Sequence, residues 1–223
     1  MQGGTARAAV FGISDGLVSN RGLILGIAGA DPVPAAVRLA GLAGLVSGAI
    51  SMGAGEYNSM RVQADLFRRE LELEARELRR NPELETEELA EMYEARGLPR
   101  EGAEALAESV MQDPDVALEA HAREELGIDP HELGRPLGAA VSSFFSFSAG
   151  ALVTLLPWFF GGGTAAIVAS VALGIVAAIA VGVAIGRTTA RPWPRTVARQ
   201  IIFTLVPATI TFAIGTALGV QLS

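Results

Sequence analysis

Residues 136–186, PLGAAVSSFFSFSAGALVTLLPWFFGGGTAAIVASVALGIVAAIAVGVAIG, form a run of 51 positions without one Asp, Glu, Lys, Arg or His. A helix needs about 20 apolar residues to cross a hydrocarbon core roughly 30 Å thick. The run is therefore long enough for two crossings, with Gly161-Gly162-Gly163 as the turn between them. No water-soluble fold needs such a stretch. Working outward, three further stretches qualify. One runs from about Ala8 to Ala30 and carries Asp15 and Arg21; one runs from about Ala35 to Tyr57, after the Asp31-Pro32-Val33-Pro34 turn; one runs from about Val197 to Val220. The predicted fold is all-α: an integral membrane protein with five transmembrane helices and a cytoplasmic helical insertion between helices two and three. Its segments are 1–57 (helices one and two), 58–134 (the insertion) and 135–223 (helices three to five).

The rest of the composition agrees with a membrane chain. Of 223 residues, 50% are hydrophobic and 18% charged, against about 25% charged in soluble domains; the mean hydropathy is +0.39. The net charge of −7 averages two unlike parts: residues 58–134 hold 21 acidic and 9 basic residues, and the remainder holds 3 acidic and 8 basic. Without Cys there is no disulfide framework, thiolate metal site or Cys nucleophile. All 17 basic residues are Arg, which with the abundant Ala and Gly suggests a GC-rich bacterial genome and a bacterial cell membrane. The Arg positions set the orientation. Arg7, Arg61, Arg68, Arg69, Arg135, Arg187, Arg191 and Arg195 fall in connections on one side, whereas Asp31–Pro34, Pro157–Gly163 and the tail after Val220 carry none. The N-terminus and residues 58–134 are thus expected in the cytoplasm. Arg38 can snorkel from the start of span two; Arg21 lies deeper. Trp158 and Trp193 fall in connections, at the expected headgroup level. A signal peptide is not the expected reading of the first stretch, which lacks a basic n-region beyond Arg7 and is too long and polar-studded.

The acidic insertion reads as helices with clear breaks. Span two continues as one helix to Arg80 and ends at Asn81-Pro82; Glu83–Arg96 is closed by Gly97 and Pro99; Glu101–Leu126 is interrupted at Asp113-Pro114 and ends at Gly127. Glu70, Glu74 and Glu77 share one helix face, Glu85 and Glu88 are spaced i, i+3, and His121 and Glu125 are spaced i, i+4. Stacked like charges repel unless a counter-ion sits among them. A divalent cation removes the penalty, and carboxylate with imidazole suits Fe²⁺, Mn²⁺ or Zn²⁺. The competing reading is a solvated surface, with Arg76, Arg79 and Arg80 neutralising part of the face and His121 structural.

Inside the spans, Asp15 is the most demanding residue, because an ionisable group in lipid costs about 2.5–3.5 kcal/mol or more. Six positions from Arg21, it lies on a different helix face, which argues against a pair. Met52 and Glu56, spaced i, i+4, offer a thioether and a carboxylate suited to a softer transition metal; packing for Met52 and a headgroup position for Glu56 are the plain alternatives. Gly22/Gly26, Gly44/Gly48 and Gly182/Gly186 have the spacing that lets helices approach closely, within one chain or across a dimer.

Asp15-Gly16-Leu17-Val18-Ser19-Asn20, Ala49-Ile50-Ser51-Met52-Gly53-Ala54-Gly55-Glu56-Tyr57 and the Glu-rich insertion ending Arg123-Glu124-Glu125-Leu126-Gly127 resemble the vacuolar iron transporter family, in that order and over nearly the whole chain. The resemblance implies five spans, a cytoplasmic metal-binding helical domain, a homodimer, and export of Fe²⁺, often Mn²⁺, from the cytosol in exchange for protons. It implies that Asp15 and Met52 line the transport path, that Glu74, Glu77, Glu85 and Glu88 bind metal in the cytoplasmic domain, and that Glu125 is a further ligand. Two adjacent Met residues of the eukaryotic pattern appear here as His121 and Ala122; imidazole can replace one soft ligand, but Ala122 cannot coordinate.

The expected activity is a divalent-metal/proton antiport without enzymatic chemistry. The partners are metal ions, the bilayer and a second copy, with no permanently bound cofactor and no nucleic acid. The ion passes Glu56 and Met52 to Asp15, and protonation of Asp15 or Glu56 releases it. The alternative is a membrane-anchored metal buffer or sensor without transport. A ferritin-like oxidase expects two Glu-x-x-His motifs, which the chain lacks. No nucleotide-binding loop or Ser/His/Asp arrangement points to an ATP-driven pump or hydrolase.

Overall fold

The computed structural model describes residues 3–131 and 133–222 and, among them, contains helices and no strand. The helices are α1 (Gly3–Asp15), a π-turn (Gly16–Asn20), α2 (Arg21–Ala28), α3 (Pro34–Arg80), α4 (Pro82–Ala95), α5 (Arg100–Val110), α6 (Pro114–Glu124), α7 (Pro136–Leu155) with a 3₁₀ turn (Leu156–Phe159), α8 (Gly163–Thr188) and α9 (Trp193–Leu222). The chain divides into two compact units, residues 59–134 and residues 2–58 with 135–223.

Among the described residues, four helical segments are long and apolar enough to cross a bilayer: Pro34–Arg80, whose residues up to 58 belong to the second, membrane unit, and Pro136–Phe159, Gly163–Thr188 and Trp193–Gly219 of the same unit. Small residues let them approach closely. Ala166, Ser170, Gly174, Ala178, Gly182 and Gly186 make the buried stripe of α8. A Cβ on Gly182 would meet the Val197 backbone at 2.6 Å, and one on Gly186 the Trp193 backbone at 2.8 Å, so α8 and α9 pack at backbone contact. Gly22 and Gly26 face Thr211, while Gly44 faces Asn20 and Leu23 and Gly48 faces Phe147. Close approach within one chain thus accounts for all three glycine pairs.

The first apolar stretch is built differently from the other four. It is two short helices around a π-turn, and the backbone stays right-handed helical at Asp15, Asn20 and Arg21. A Cβ on Gly16 would collide with the Phe147 carbonyl, so only glycine fits where this turn presses against α7. Asn20 is buried and donates from Nδ2 to the Ala151 carbonyl at 3.2 Å. Arg21 is fully buried and reaches α8, donating from Nη2 to the Val171 carbonyl at 3.0 Å rather than to Asp15, while its Nε and Nη1 have no hydrogen-bond partner among the described residues. Arg38 donates to the Trp158 carbonyl at 3.3 Å. Trp158 departs from the headgroup expectation: it is 2% exposed and packs with Ile24, Val37, Leu155 and Ala166, because the 3₁₀ turn folds its ring inward. Trp193 is exposed.

In the acidic unit, the helix expected to run on from span two is the part of α3 that ends at Arg80. Asn81 takes a non-helical conformation before Pro82, which stands at the first position of α4. Asp113 caps α6, its Oδ1 accepting from the backbone N–H of Asp115 at 2.9 Å. Gly127 ends α6 at φ +64°, and the Ile128 N–H closes back on the Ala122 carbonyl at 2.7 Å. Leu89, Ala90 and Ala107, with Met92, Tyr93, Val110 and Ala120 against them, form a small core shared by α4, α5 and α6.

Candidate metal centre

The helix ends of the acidic unit bring carboxylates and an imidazole to one place. Glu74 comes from α3. The break at Asn81-Pro82 reverses the chain so that Glu85, in the first turn of α4, lies beside it. His121 comes from the last turn of α6 and Glu125 from its C-cap. His121 Nδ1 is 3.1 Å from Glu74 Oε1, 3.7 Å from Glu85 Oε2 and 3.9 Å from Glu125 Oε2. One ligand atom each from Glu74, His121 and Glu125 lies within 4.8 Å of the other two. Bonds of about 2.1 Å to one shared ion place neighbouring ligand atoms roughly 3.0–3.4 Å apart at octahedral or tetrahedral angles. A small adjustment would close these side chains around a cation.

Burial grades the cluster from floor to rim. His121 has no exposure, and Glu74 and Glu85 are buried, whereas Glu77, Glu88 and Glu125 are exposed. Glu77 also accepts from Asn81 Nδ2 at 3.2 Å. The floor is electrically unhappy. Burial, then the neighbouring charges of Glu125, Glu85 and Glu88, push the Glu74 carboxyl up to about 7. Burial and then Glu88, Glu125 and Glu77 raise Glu85. Burial lowers His121 below its ordinary value despite the acids around it, which favours the neutral imidazole that a metal needs. Glu74 Oε1 and both ring nitrogens of His121 are buried and make no well-aligned hydrogen bond among the described residues, although Oε1 and Nδ1 lie 3.1 Å apart. Unpartnered buried polar atoms cost about 1–3 kcal/mol each, and a divalent cation supplies the missing partner. One nitrogen with three carboxylates is a donor set for Fe²⁺, Mn²⁺ or Zn²⁺. Ala122, beside His121, is fully buried and offers no ligand atom.

In the membrane unit the three residues singled out from sequence stand apart in character. Asp15 is half-buried at the last position of α1, and Ser19 Oγ donates to its backbone carbonyl at 2.7 Å. No ion pair between Asp15 and Arg21 forms. Met52 is partly buried against Ala49, Phe147 and Ala151, beside Leu45 and Phe144. Glu56, one turn on, is 7% exposed and accepts from Arg7 Nη2 at 3.2 Å. In the sequence Arg7 bears on orientation and on the signal-peptide question, and its pairing with Glu56 is not foreseen. An available signal was that an antiparallel pair of spans brings the start of the first and the end of the second to the same side.

The model of the VIT family matches residues 6–216, a range that takes in both units and every residue singled out above. The chain belongs to the VIT family. It is 33% identical to vacuolar iron transporter 1 of Oryza sativa subsp. japonica over 221 residues, 98% of this chain and 86% of that protein. It is 33% identical to vacuolar iron transporter 1 of Eucalyptus grandis over 175 residues, 78% and 70% of the two chains. It is 39% identical to the vacuolar iron transporter of Acanthamoeba castellanii over 153 residues, 69% of this chain and 55% of that protein. These relatives come from plants and an amoeba. The VIT family is one of transporters, not of enzymes.

Proposed function

We propose that the protein is a divalent-metal carrier that moves Fe²⁺, and also Mn²⁺, out of the cytosol in exchange for protons, with the 58–134 segment as a cytoplasmic collector. The observation that carries the reading is the floor of the acidic cluster, where buried atoms of Glu74 and His121 make no well-aligned hydrogen bond. Membership of the VIT family and the named transport activity of its relatives support iron as cargo. Exposed Glu77, Glu88 and Glu125 attract the cation; Glu74, Glu85 and His121 take its inner contacts. In the membrane unit the ion uses Glu56, Met52 and Asp15. Because carboxylates bind metal only when deprotonated, protons arriving from the far side release the ion and are carried back.

Five spans and a homodimer complete the reading. The α1–π-turn–α2 rod supplies the fifth crossing. Asp15 is half-buried and has no ionic partner among the described residues, and Phe11, one turn earlier, is 55% exposed. A second copy against this face removes the cost of leaving a carboxylate toward lipid. The all-Arg basic set and its compositional setting favour a bacterial cell membrane as the host.

The test is uptake of Fe²⁺, Mn²⁺ and Zn²⁺ into proteoliposomes under an imposed pH gradient, with internal pH recorded alongside. Metal entering as protons leave is the expected result. Metal bound to the protein without any uptake would leave a membrane-anchored buffer or sensor.

A further inference from the structure

We propose that Arg7 is a built-in, displaceable counter-ion of Glu56, which sets how tightly the membrane unit takes up a divalent cation. The proposal rests on the transport reading above and adds to it a residue that tunes affinity. Outside residues 58–134 the chain has only three acidic residues, Asp15, Asp31 and Glu56. Glu56 is the most buried of the three, at 7% exposure. A buried carboxylate needs a compensating charge, and the basic group that provides it among the described residues is Arg7, with Nη2 3.2 Å from Oε2.

The pair is lopsided. The Glu56 side chain is 8% exposed and the Arg7 side chain 64% exposed. Only one guanidinium nitrogen makes the contact, although a guanidinium can grip a carboxylate with two. A static pin between helices would be expected to use the two-point grip and to bury both partners. Here the carboxylate has nowhere to go, whereas the guanidinium loses little by swinging into water, as exposed partners do. A divalent cation brings two charges to Glu56 where Arg7 brings one, and can add the Met52 thioether one turn away. Arg7 therefore holds the site between ions and competes with each arriving one. It is a positioning residue, and its removal should strengthen cation uptake at low concentration rather than abolish transport.

The chain's lack of Cys allows a test on one folded protein. Arg7→Cys introduces a single thiol, which can be given a positive charge with an ethylammonium methanethiosulfonate or a negative one with the ethylsulfonate reagent. Initial rates of Mn²⁺ uptake into proteoliposomes are then measured against Mn²⁺ concentration. Arg7→Cys should lower KM about three- to fivefold, the scale of a partly exposed ion pair, with the maximal rate nearly unchanged. The ammonium reagent should return KM toward the wild-type value, the sulfonate should lower it further, and a reducing agent should reverse both. Arg195→Cys, at another exposed Arg of the same unit, should show none of these shifts. A KM that rises, that ignores the added charge, or that moves equally at Arg195 would overturn the proposal while leaving transport intact. So would a loss of flux in Arg7→Cys restored only by the ammonium reagent, which marks a structural pin. A wild-type protein that carries no Mn²⁺ at all would instead remove the transport reading beneath it.

Discussion

In the acidic unit carboxylates crowd onto one another: Glu74, Glu85 and Glu125 all lie within 4.0 Å of a single imidazole nitrogen. In the membrane unit buried charges stand singly: Glu56 has Arg7, Arg21 has the Val171 carbonyl at Nη2 while its Nε and Nη1 are without a partner among the described residues, and half-buried Asp15 has no ionic partner among them. The contrast follows from the surroundings. Beside water, like charges can share a cluster because solvent and a mobile cation screen them. In hydrocarbon every ion must be answered locally. A cluster left short of positive charge is suited to gathering cations; a sparse series of single charges is suited to passing one along.

The contrast can be broken most sharply at its weakest point. Asp15→Ala should abolish metal flux in proteoliposomes while the protein still folds, as judged by its elution and melting in detergent. Retained flux would remove Asp15 from the mechanism. The next largest effect lies in the other unit. His121→Ala or Glu74→Gln should weaken Mn²⁺ binding to the full chain, measured by calorimetry in detergent, by at least about tenfold, a loss already common for outer-shell partners of metal ligands.

The pH dependence separates the units further. Glu74 titrates near 4.5 when unfolded and at about 7 in the fold, so the fold favours its protonated form. Its contribution to stability is full below about 4.5 and is lost as pH rises through about 7. His121, held below its ordinary value by burial, acts in the opposite direction, so the Glu74 contribution is read as a difference: without metal, the melting temperature of the wild type relative to Glu74→Gln should fall across that window, and added Mn²⁺ should stabilise the wild type most above it. A wild type that gains stability relative to Glu74→Gln across the same window would contradict the burial of Glu74. The smallest effect belongs to the exposed pairs. Arg68→Ala, which breaks a contact with Asp65 whose partners are about half exposed, should change stability by no more than about 0.5 kcal/mol.

Much of this was legible in the sequence because it depends on local rules. The uncharged run at 136–186 could only be buried in lipid or protein, and Asn81-Pro82, Asp113-Pro114 and Gly127 mark helix ends by their backbone chemistry. The spacing of Glu74 with Glu77, and of His121 with Glu125, put the right groups on shared faces. It could not separate Glu70, which stays exposed, from Glu74, which turns inward, because that depends on where α4 and α6 dock. The π-turn after Asp15 was hidden for a similar reason: it arises where Gly16 meets the Phe147 backbone, a contact between residues far apart in the chain. Trp158 was misplaced because an aromatic in a connection looks alike whether the turn folds it inward or leaves it at the surface. Arg7 was read for its side of the membrane and not for the carboxylate 49 positions away.

The central claim is that the acidic unit holds its cation through the His121 imidazole among carboxylates. Pulsed electron paramagnetic resonance of the Mn²⁺-loaded full chain tests this directly, since a coordinated imidazole nitrogen imprints its coupling on the metal's electron spin. Nitrogen modulation present in the wild type and absent in His121→Ala is the predicted result. Mn²⁺ that binds the wild type with no nitrogen coupling, or with coupling that survives in His121→Ala, would contradict it.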